Sequence, residues 1–430
     1  MKKTVLSLLL ASSALMLNAC GGGDSNNGRD SSTNSNIDVN NIQNPVVGTP
    51  VVYKETDMSA FAKDSVVMTY KMKGVKETET QATALVFTPK TAPPADGWPI
   101  VAWAHGTVGV ADGCAPSKTS FGGDIKKMTD DLLKEGYVVV APDYEGLGEP
   151  SGKELHPFLN VKSEAYSITD AVVATKNWLG RNASNKWAVL GHSQGGQAAL
   201  GAAQYAARAN LDYKGVVAVA PASNLKLTDS LLRMELEKLS GKIYIEGENG
   251  PEISPEYAKK SMGIMAVDGF TALIAASIKS TNPNNEAIYS QVFKKDVAPI
   301  VEKNIESECL LGVAFSMVAP MADYAMANNM NIDGYSSRID GYTDIPIVKK
   351  FLEKDSQPLQ VLVKKPIIIY QGGADTLVLP QATDTLVKQA RALTTVIDYR
   401  TDPTWDHGTV YSVNVNNGKL VQDIKTMLNK

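Results

Sequence analysis

Residues 187–208, WAVLGHSQGGQAALGAAQYAAR, decide the fold. The apolar run at 187–190 predicts a buried β-strand, and the alanine-rich segment 197–208 predicts a helix that packs closely on a sheet. Between them, residues 191–195 fit G-x-S-x-G, the pattern of a strained strand-to-helix turn that presents a nucleophile. Glycines on both sides let the strand and helix approach each other and leave the Ser193 hydroxyl accessible. The stretch therefore predicts a nucleophilic serine.

A serine hydroxyl is a weak nucleophile near neutral pH and needs an adjacent base, most often histidine. The chain has four histidines. His192 adjoins the serine, and its side chain is expected to point away from the hydroxyl. His105 follows a predicted strand and belongs to another part of the site, while His156 lies in a loop without a motif. His407 follows the last predicted strand, in the order serine, acid, histidine that this motif favours, and is the predicted base.

The acid of the predicted triad should follow a strand, and Asp375 comes directly after the predicted strand 366–370. Its expected role is to fix the tautomer of His407 and to stabilise the imidazolium that forms during reaction. Asp402 is a weaker alternative, and Asp406 adjoins the histidine too closely in sequence to face it. Each aspartate could instead cap a surface turn.

Negative charge on a reacting carbonyl oxygen needs preorganised donors. The backbone N–H of Gln194 is one expected donor. The second is expected in the loop after the predicted strand 100–104, where the N–H of Thr107, with its hydroxyl as a further donor, is favoured. A simple strand-ending turn is the alternative for this loop.

From residue 46 onward, short apolar runs alternate with segments of helical period, which is typical of a mostly parallel sheet with crossover helices. Predicted strands lie at 82–88, 100–104, 137–141, 187–190, 215–220, 366–370 and 395–399, and predicted helices at 124–135, 163–179, 197–208, 381–392 and 420–428. Residues 46–223 and 360–430 are thus the predicted core. Residues 224–359 are predicted to form a mainly helical cap over the active site, with a helix start at Ser254 and Pro255. The segment contains seven methionines, which either supply an acyl-binding surface or fill the cap's own core. They are Met234, Met262, Met265, Met317, Met321, Met326 and Met330.

The N-terminus predicts export. Lys2 and Lys3 precede an apolar run at 5–17 that is too short to span a bilayer. Residues 17–20, LNAC, resemble a bacterial lipoprotein signal, so residues 1–19 are the predicted signal peptide and Cys20 the predicted lipidation site. Residues 20–45, rich in Asn, Ser and Gly, are the predicted flexible tether. The protein is expected on a bacterial membrane, facing the periplasm or the cell surface, with ordinary secretion or later release as alternatives.

Setting Cys20 aside leaves Cys114 and Cys309, an even number in an oxidising compartment, and we predict that they pair. Two buried thiols are the alternative. The net charge of −4 and the scattered Lys and Arg argue against nucleic acid as a partner. No H-E-x-x-H pattern or His/Cys cluster predicts a metal, and no cofactor is expected.

Five motifs in order resemble the secretory lipase family, the fungal lipase-A type and its bacterial relatives, over about residues 50–430. They are DGCAPS at 112–117, PDYEG at 142–146, the G-x-S-x-G turn, ADTLVLP at 374–380 and DHGT at 406–409. The resemblance implies an α/β-hydrolase fold, with a mostly parallel central sheet flanked by helices and a helical cap insertion.

The same resemblance implies Ser193, Asp375 and His407 as the triad, with Gln194 and Thr107 near the oxyanion. It also implies acyl esters as substrates and a bridge from the DGCAPS cysteine to one in the cap. The chain departs from the fungal pattern, which commonly has Tyr and Gly in place of His192 and Gln194 and an acidic residue in place of Thr107. The preferred acyl-chain length is therefore not predicted.

The sequence thus predicts a carboxylic ester hydrolase, a lipase or esterase, that works through an acyl-enzyme and takes a small-molecule or lipid ester. An exopeptidase or an acyltransferase on the same triad is the alternative. A non-catalytic surface lipoprotein that binds a ligand is a further alternative from another class.

Overall fold

The computed structural model describes residues 38–148, 152, 154–247 and 250–430. The predicted signal peptide and the predicted lipidation site, Cys20, lie outside these residues. The strands are β1 Val51–Val52, β2 Ala62–Lys73, β3 Glu79–Pro89, β4 Trp98–Ala104, β5 Val138–Pro142, β6 Ala183–His192, β7 Asp212–Val219, β8 Tyr244–Gly247, β9 Gly250–Ile253, β10 Ile367–Gly372 and β11 Ile397–Asp402.

A central sheet of nine strands has the order β1-β2-β3-β5-β4-β6-β7-β10-β11. The six strands from β5 to β11 in this order run parallel, while β1, β2 and β3 join by antiparallel pairing. The sheet confirms the predicted α/β class. Register places Ala104 beside Gly191 and His192 beside Val219, so the carboxyl ends of these strands meet at one edge.

The helices are α1 Gly123–Lys134, α2 Val161–Leu179, α3 Gln194–Gln204, α4 Leu225–Glu237, α5 Pro255–Thr281, α6 Ile288–Val292, α7 Ala298–Ile305, α8 Leu310–Ser316, α9 Val318–Ala327, α10 Pro346–Lys350, α11 Pro380–Ala392, α12 Thr409–Asn416 and α13 Lys419–Leu428. Helices α2, α3 and α11 contribute to the hydrophobic core on one face of the sheet. Helices α1, α12 and α13 contribute to the core on the other face. The sheet is therefore buried on both sides, which is why its parallel strands are continuous apolar runs.

The segment between β7 and β10 carries helices α4 to α10, and we call it the cap. It has its own apolar cluster, which includes Leu273, Phe293 and Phe351. Ser254 caps α5 by accepting the N–H of Tyr257, as the sequence predicts. The antiparallel hairpin of β8 and β9 was not predicted, because most of its side chains are exposed and give no buried pattern.

Two stretches of the cap are long and apolar enough to meet a simple test for a membrane span. Helix α5 has a mean hydropathy of 1.6 over its most apolar window, but 61% of that window is buried. The stretch Leu310–Ala327 has a mean hydropathy of 1.4 and is 33% buried, and it consists of two consecutive helices, α8 and α9. The buried fraction of α5 is that of a core helix.

A disulfide joins the core to the cap. Cys114 and Cys309 are bonded, with their Cα atoms 5.5 Å apart. Beside the bridge, the backbone N–H of Leu310 donates to the carbonyl of Val108 at 2.8 Å. The predicted pairing of the two cysteines is thus present, and it fixes the start of α8 to the loop that follows β4.

Residues 38–45, which the sequence places in the tether, contact the core. The Asn40 side chain donates to Asp170 at 2.8 Å, and its backbone N–H donates to the carbonyl of Arg208 at 2.9 Å. The carbonyl of Pro45 accepts the N–H of Lys71. The chain is therefore attached to the fold from about residue 38, earlier than its composition suggests.

Candidate active site

Ser193 lies at the turn between β6 and α3, with φ 61° and ψ −121°. A Cβ on Gly195 would overlap the carbonyl oxygen of Ala104, and one on Gly191 would overlap the carbonyl of Gly195. Glycine is therefore required on both sides of the serine so that β4, β6 and α3 can approach closely. The strained backbone holds the serine at the carboxyl edge of the sheet.

Three of the predicted residues form one hydrogen-bonded line. The Nε2 atom of His407 is 3.0 Å from the Oγ of Ser193, and its Nδ1 is 2.8 Å from the Oδ2 of Asp375. Because Nδ1–H donates to the carboxylate, Nε2 carries the lone pair and accepts the serine O–H. The arrangement can take the proton from the serine hydroxyl as the oxygen attacks.

The carboxylate of Asp375 is fixed by its neighbours. It is buried, and its Oδ1 accepts the N–H groups of Leu377 and Val378, each at 2.9 Å. The amide of Gln371 lies 3.4 Å from Oδ2. The carboxylate is therefore held toward the imidazole.

The loops that carry the acid and the histidine are joined by backbone hydrogen bonds. The N–H of Gly373 donates to the carbonyl of Asp402 at 2.8 Å, and the N–H of Ala374 donates to that of Trp405 at 2.9 Å. These bonds connect the ends of the adjacent parallel strands β10 and β11. Strand pairing therefore brings two distant stretches of sequence together.

The alternative acids cap turns. Asp406 accepts the N–H groups of Gly408 and Thr409, and these hydrogen bonds lower its pKa. Asp402 accepts the N–H and hydroxyl of Thr404, which lowers its pKa in the same way. Both carboxylates thus serve local turn structure.

The predicted oxyanion donors are the backbone N–H groups of Gln194, which follows the serine, and of Thr107. Gln194 is the first residue of α3, so its N–H has no acceptor within the helix and lies at the positive end of the helix dipole. A Cβ built on Gly106 would lie 3.9 Å from the Cβ of Ser193, and Thr107 lines the cavity in front of the serine. The N–H of Gln194 is thus beside the nucleophile, and the role of Thr107 stays a prediction.

The ring of His192, expected to point away from the serine hydroxyl, packs against the catalytic candidate His407. The two ring centroids are 4.8 Å apart, and the Nε2–H of His192 donates to the carbonyl of His407 at 2.9 Å. Its other face stacks on Tyr411. Burial lowers the pKa of His192 to about 4, so this second imidazole is neutral near pH 7.

His105 lies behind the oxyanion loop. Its ring is buried and stacks on Tyr144 with centroids 4.1 Å apart, and burial lowers its pKa to about 4. The neighbouring Asp143 accepts the N–H of Ser117 at 2.8 Å and the hydroxyl of Thr83 at 2.6 Å. The PDYEG and DGCAPS motifs therefore contact each other. The carbonyl of Asp143 also lies 3.1 Å from His105 Nε2, at the start of the loop that follows β4.

Two buried polar residues behind the serine were not predicted. His156, which carries no sequence motif, and Glu164, in the first turn of α2, both contact the side chain of Gln194. Nothing local distinguishes Glu164 from other polar helix residues. Only the packing of α2 against α3 brings Glu164 to the strand-to-helix turn at residues 191–195, which we call the nucleophile elbow.

Ser193 lines an apolar cavity between the core and the cap. Its lining from the core includes Phe158, Leu159, Leu377 and Val378, and its lining from the cap includes Leu225, Leu232, Val267, Phe270, Ile274 and Leu352. No methionine occurs among the described residues of this lining, so the cap methionines do not line the cavity at Ser193. Of these, Met317 and Met321 are buried in the cap, whereas Met234, Met262, Met326 and Met330 are exposed.

No group of three or more His, Cys, Asp or Glu side chains in the described part of the chain is placed to hold a metal ion. The site as described brings Ser193, His407 and Asp375 together at an apolar cavity.

Several known proteins are similar to this chain. A family model described as serine aminopeptidase, S33, matches residues 118–261. Lipase A from Candida antarctica in its closed state superposes with a TM-score of 0.62 and 19% identity, covering 88% of this chain and 83% of that one. A putative hydrolase from Legionella pneumophila superposes with a TM-score of 0.63 and 15% identity, covering 89% of this chain and 98% of that one. No curated protein matches the sequence.

The chain has an α/β-hydrolase fold similar to that of lipase A. A third similar structure, the rice cell wall degrading esterase LipA from Xanthomonas oryzae, has a TM-score of 0.58 at 18% identity and covers 89% of this chain and 98% of that one. The lipase-A-like fold confirms the predicted fold class and the resemblance drawn from the motifs. At these identities the likeness concerns the fold alone, and the chemistry of this chain is argued from its own residues.

Proposed function

We propose that the protein is a serine hydrolase that cleaves carboxylic esters of the lipase or esterase type through an acyl-enzyme. The observation that carries the proposal is the hydrogen-bonded line Ser193–His407–Asp375, which lies at an apolar cavity. The fold and the lipase and esterase structures that share it support the same chemistry.

The geometry accounts for both halves of the reaction. As Ser193 Oγ bonds to the carbonyl carbon, its proton passes to His407 Nε2, and the oxyanion accepts the N–H groups of Gln194 and Thr107. Collapse of this tetrahedral species breaks the bond to the alcohol oxygen, which leaves with the proton from His407. Water then attacks the acyl-enzyme with the same base and releases the carboxylic acid.

A peptidase reaction on the same triad is the second candidate, because the matching family model is that of a serine aminopeptidase. An aminopeptidase must bind a free amino group, usually with a carboxylate. The cavity lining as described has one carboxylate, Asp229, which already binds Arg233, Arg338 and the hydroxyl of Tyr342. The neutralised carboxylate and the apolar walls favour an acyl group.

The test is covalent labelling combined with turnover. Wild-type protein should react with a fluorophosphonate and hydrolyse p-nitrophenyl acyl esters faster than aminoacyl amides. Ser193→Ala should lose both activities while its melting temperature stays the same. Wild-type protein that neither labels nor hydrolyses any ester would refute the proposal, and faster amide turnover would favour the peptidase. Transfer of the acyl group to an added alcohol in preference to water would identify an acyltransferase.

We further propose that the protein is exported and lipid-anchored at Cys20 on a bacterial membrane. The Cys114–Cys309 disulfide supports an oxidising compartment, because such bonds rarely persist in the cytosol. The anchor rests on residues 17–20 of the sequence. Metabolic labelling with an alkyne fatty acid should mark the wild type and not Cys20→Ala.

A further inference from the structure

A buried polar cluster lies at the nucleophile elbow, the turn at residues 191–195, and no step of the proposed reaction uses its side chains. It consists of the side chains of Gln194, His156 and Glu164, each of which is at most 1% exposed. Gln194 also provides the backbone N–H beside the nucleophile. Contacts that fix this side chain therefore bear on the position of that donor.

Both hydrogens of the Gln194 amide are used within the cluster. Its Nε2 donates to Glu164 Oε1 at 2.7 Å and to His156 Nε2 at 2.9 Å. The Nδ1 of His156 in turn donates to the carbonyl of Glu145 at 2.9 Å. Since Nδ1 donates to a carbonyl, Nε2 is left as the acceptor of the amide hydrogen.

Glu164 connects three elements. It belongs to α2, its Oε1 accepts the N–H of Leu159 at 2.9 Å, and the same oxygen accepts the Gln194 amide of α3. Leu159 has φ 57° and lines the cavity, and its carbonyl accepts the amide of Gln197 at 2.9 Å. One carboxylate oxygen thus holds the elbow helix and a strained cavity-lining residue together.

Burial of such a carboxylate is costly, and it raises the pKa of Glu164. Its second oxygen has no hydrogen-bond partner within the described structure, and neither does the carbonyl oxygen of the Gln194 side chain. An apolar side chain would fill the same space without this cost. The stability lost by burying this carboxylate indicates that Glu164 serves to position the Gln194 amide and not to stabilise the fold.

We propose that Glu164 and His156 are positioning residues that hold Gln194, and with it the oxyanion donor, in the geometry that the transition state requires. The proposal rests on the proposed ester hydrolysis. Because the donor acts on charge that develops only in the transition state, losing its alignment lowers kcat more than it changes KM. A misplacement of about 1 Å can reduce the rate by about 100-fold.

The test compares Glu164→Ala with Glu164→Gln in the full chain. Glu164→Ala should lower kcat for p-nitrophenyl butyrate by about 10- to 100-fold, with KM within about 3-fold of the wild type. An alkyl boronic acid, whose adduct with the serine mimics the tetrahedral oxyanion, should bind more weakly by the same factor as kcat falls. Glu164→Gln keeps an acceptor oxygen for both N–H groups and should restore kcat to within about 3-fold of the wild type.

Asp170→Asn is the matched control, because Asp170 is another buried carboxylate of α2. Asp170 binds Arg208, whereas the Gln194 amide donates to Glu164 and His156. Asp170→Asn should lower the melting temperature and leave kcat and boronic acid affinity near wild-type values. An equal loss of kcat in Asp170→Asn would show that kcat only follows stability and would overturn the proposal. Unchanged kcat in folded Glu164→Ala would overturn it as well.

If Glu164→Ala does not accumulate as folded protein, Gln194→Met gives the same test, since it removes the amide and keeps the length of the side chain. It should show the same fall in kcat and in boronic acid affinity, and wild-type values for both would overturn the proposal. Fluorophosphonate labelling of the wild type separates the two hypotheses. A labelled, active wild type with an unaffected Glu164→Ala refutes the positioning role alone, whereas an unlabelled, inactive wild type refutes the ester hydrolase itself.

Discussion

The carboxylate of Asp375 is held by two backbone N–H groups on one oxygen and by His407 on the other. Asp375→Asn retains an oxygen for the backbone groups but sets an amide N–H₂ against Nδ1, which favours the wrong tautomer of His407. We expect kcat to fall by about 10³- to 10⁴-fold with little change in melting temperature. Steady-state hydrolysis of a p-nitrophenyl ester measures it.

Asp402→Asn is the control for this substitution, because Asp402 caps a turn at Thr404 on the adjacent loop. Its kcat should stay within about 3-fold of the wild type, as for most surface changes. A loss as large as that of Asp375→Asn would make the assignment of the acid wrong.

His192 gives a prediction on pH. Its pKa is about 4 in the folded protein, lowered from 6.5 by burial, so between these values the unfolded chain binds a proton that the folded chain does not. This contribution to stability is complete above pH 6.5 and is lost as the pH falls toward 4. Relative to His192→Phe, the wild type should therefore lose stability over this range. Urea unfolding midpoints of both proteins from pH 4 to 7.5 measure the difference, and parallel curves would contradict it.

The nucleophile elbow depends on the close approach of α3 to β4. In Gly195→Ala the new methyl group would overlap the backbone of Ala104, which cannot move without disturbing the sheet. We expect the free energy of unfolding to fall by about 3 kcal/mol or more. Chemical denaturation of the purified variant measures it.

Gly113→Ala is the matched control, because a Cβ on Gly113 has no atom within 4 Å. Its unfolding free energy should lie within about 0.5 kcal/mol of the wild type. Equal stability of the two alanine variants would refute the steric argument for the elbow.

The elements that sequence reasoning found and those it missed differ in burial. Strands β4 to β7 and β10 are buried on both faces and stand out as apolar runs. Strand β2 was missed although its buried Met68 and Tyr70 alternate with partly exposed residues such as Lys71, the pattern of a half-buried strand. Helix α12 was missed because TVYSVNVN favours a strand by intrinsic propensity, and packing against α1 and α13 overrides that preference.

For the whole molecule, the disulfide restrains the cap against the core across 195 residues of sequence. Cys309→Ser should lower the free energy of unfolding by about 2 to 4 kcal/mol, because the unfolded chain is no longer cross-linked. Since neither sulfur touches the triad, kcat at low temperature should be largely kept. Urea unfolding with and without reducing agent measures the effect, and midpoints that do not differ would contradict it.

The candidate site shows the same division between local and tertiary information. The elbow, the acid after β10 and the histidine after β11 are each marked by a few adjacent residues, and the order of motifs suffices to nominate them. The roles of Glu164 and His156 near Gln194 have no such local mark. They arise from three helical and loop segments that meet only in the folded chain.

The sequence by itself determined the α/β rhythm, the glycine-flanked serine and the candidate residues, because strand burial and turn strain are encoded in neighbouring side chains. The tertiary structure decided which of the four histidines reaches Ser193 and which aspartate faces that histidine. The first contact joins residues 214 positions apart and the second joins residues 32 positions apart. Strand order and register in the sheet set them. Only the tertiary structure decided what surrounds the buried amide of Gln194, since the hydrogen bonds there depend on how α2 packs against α3.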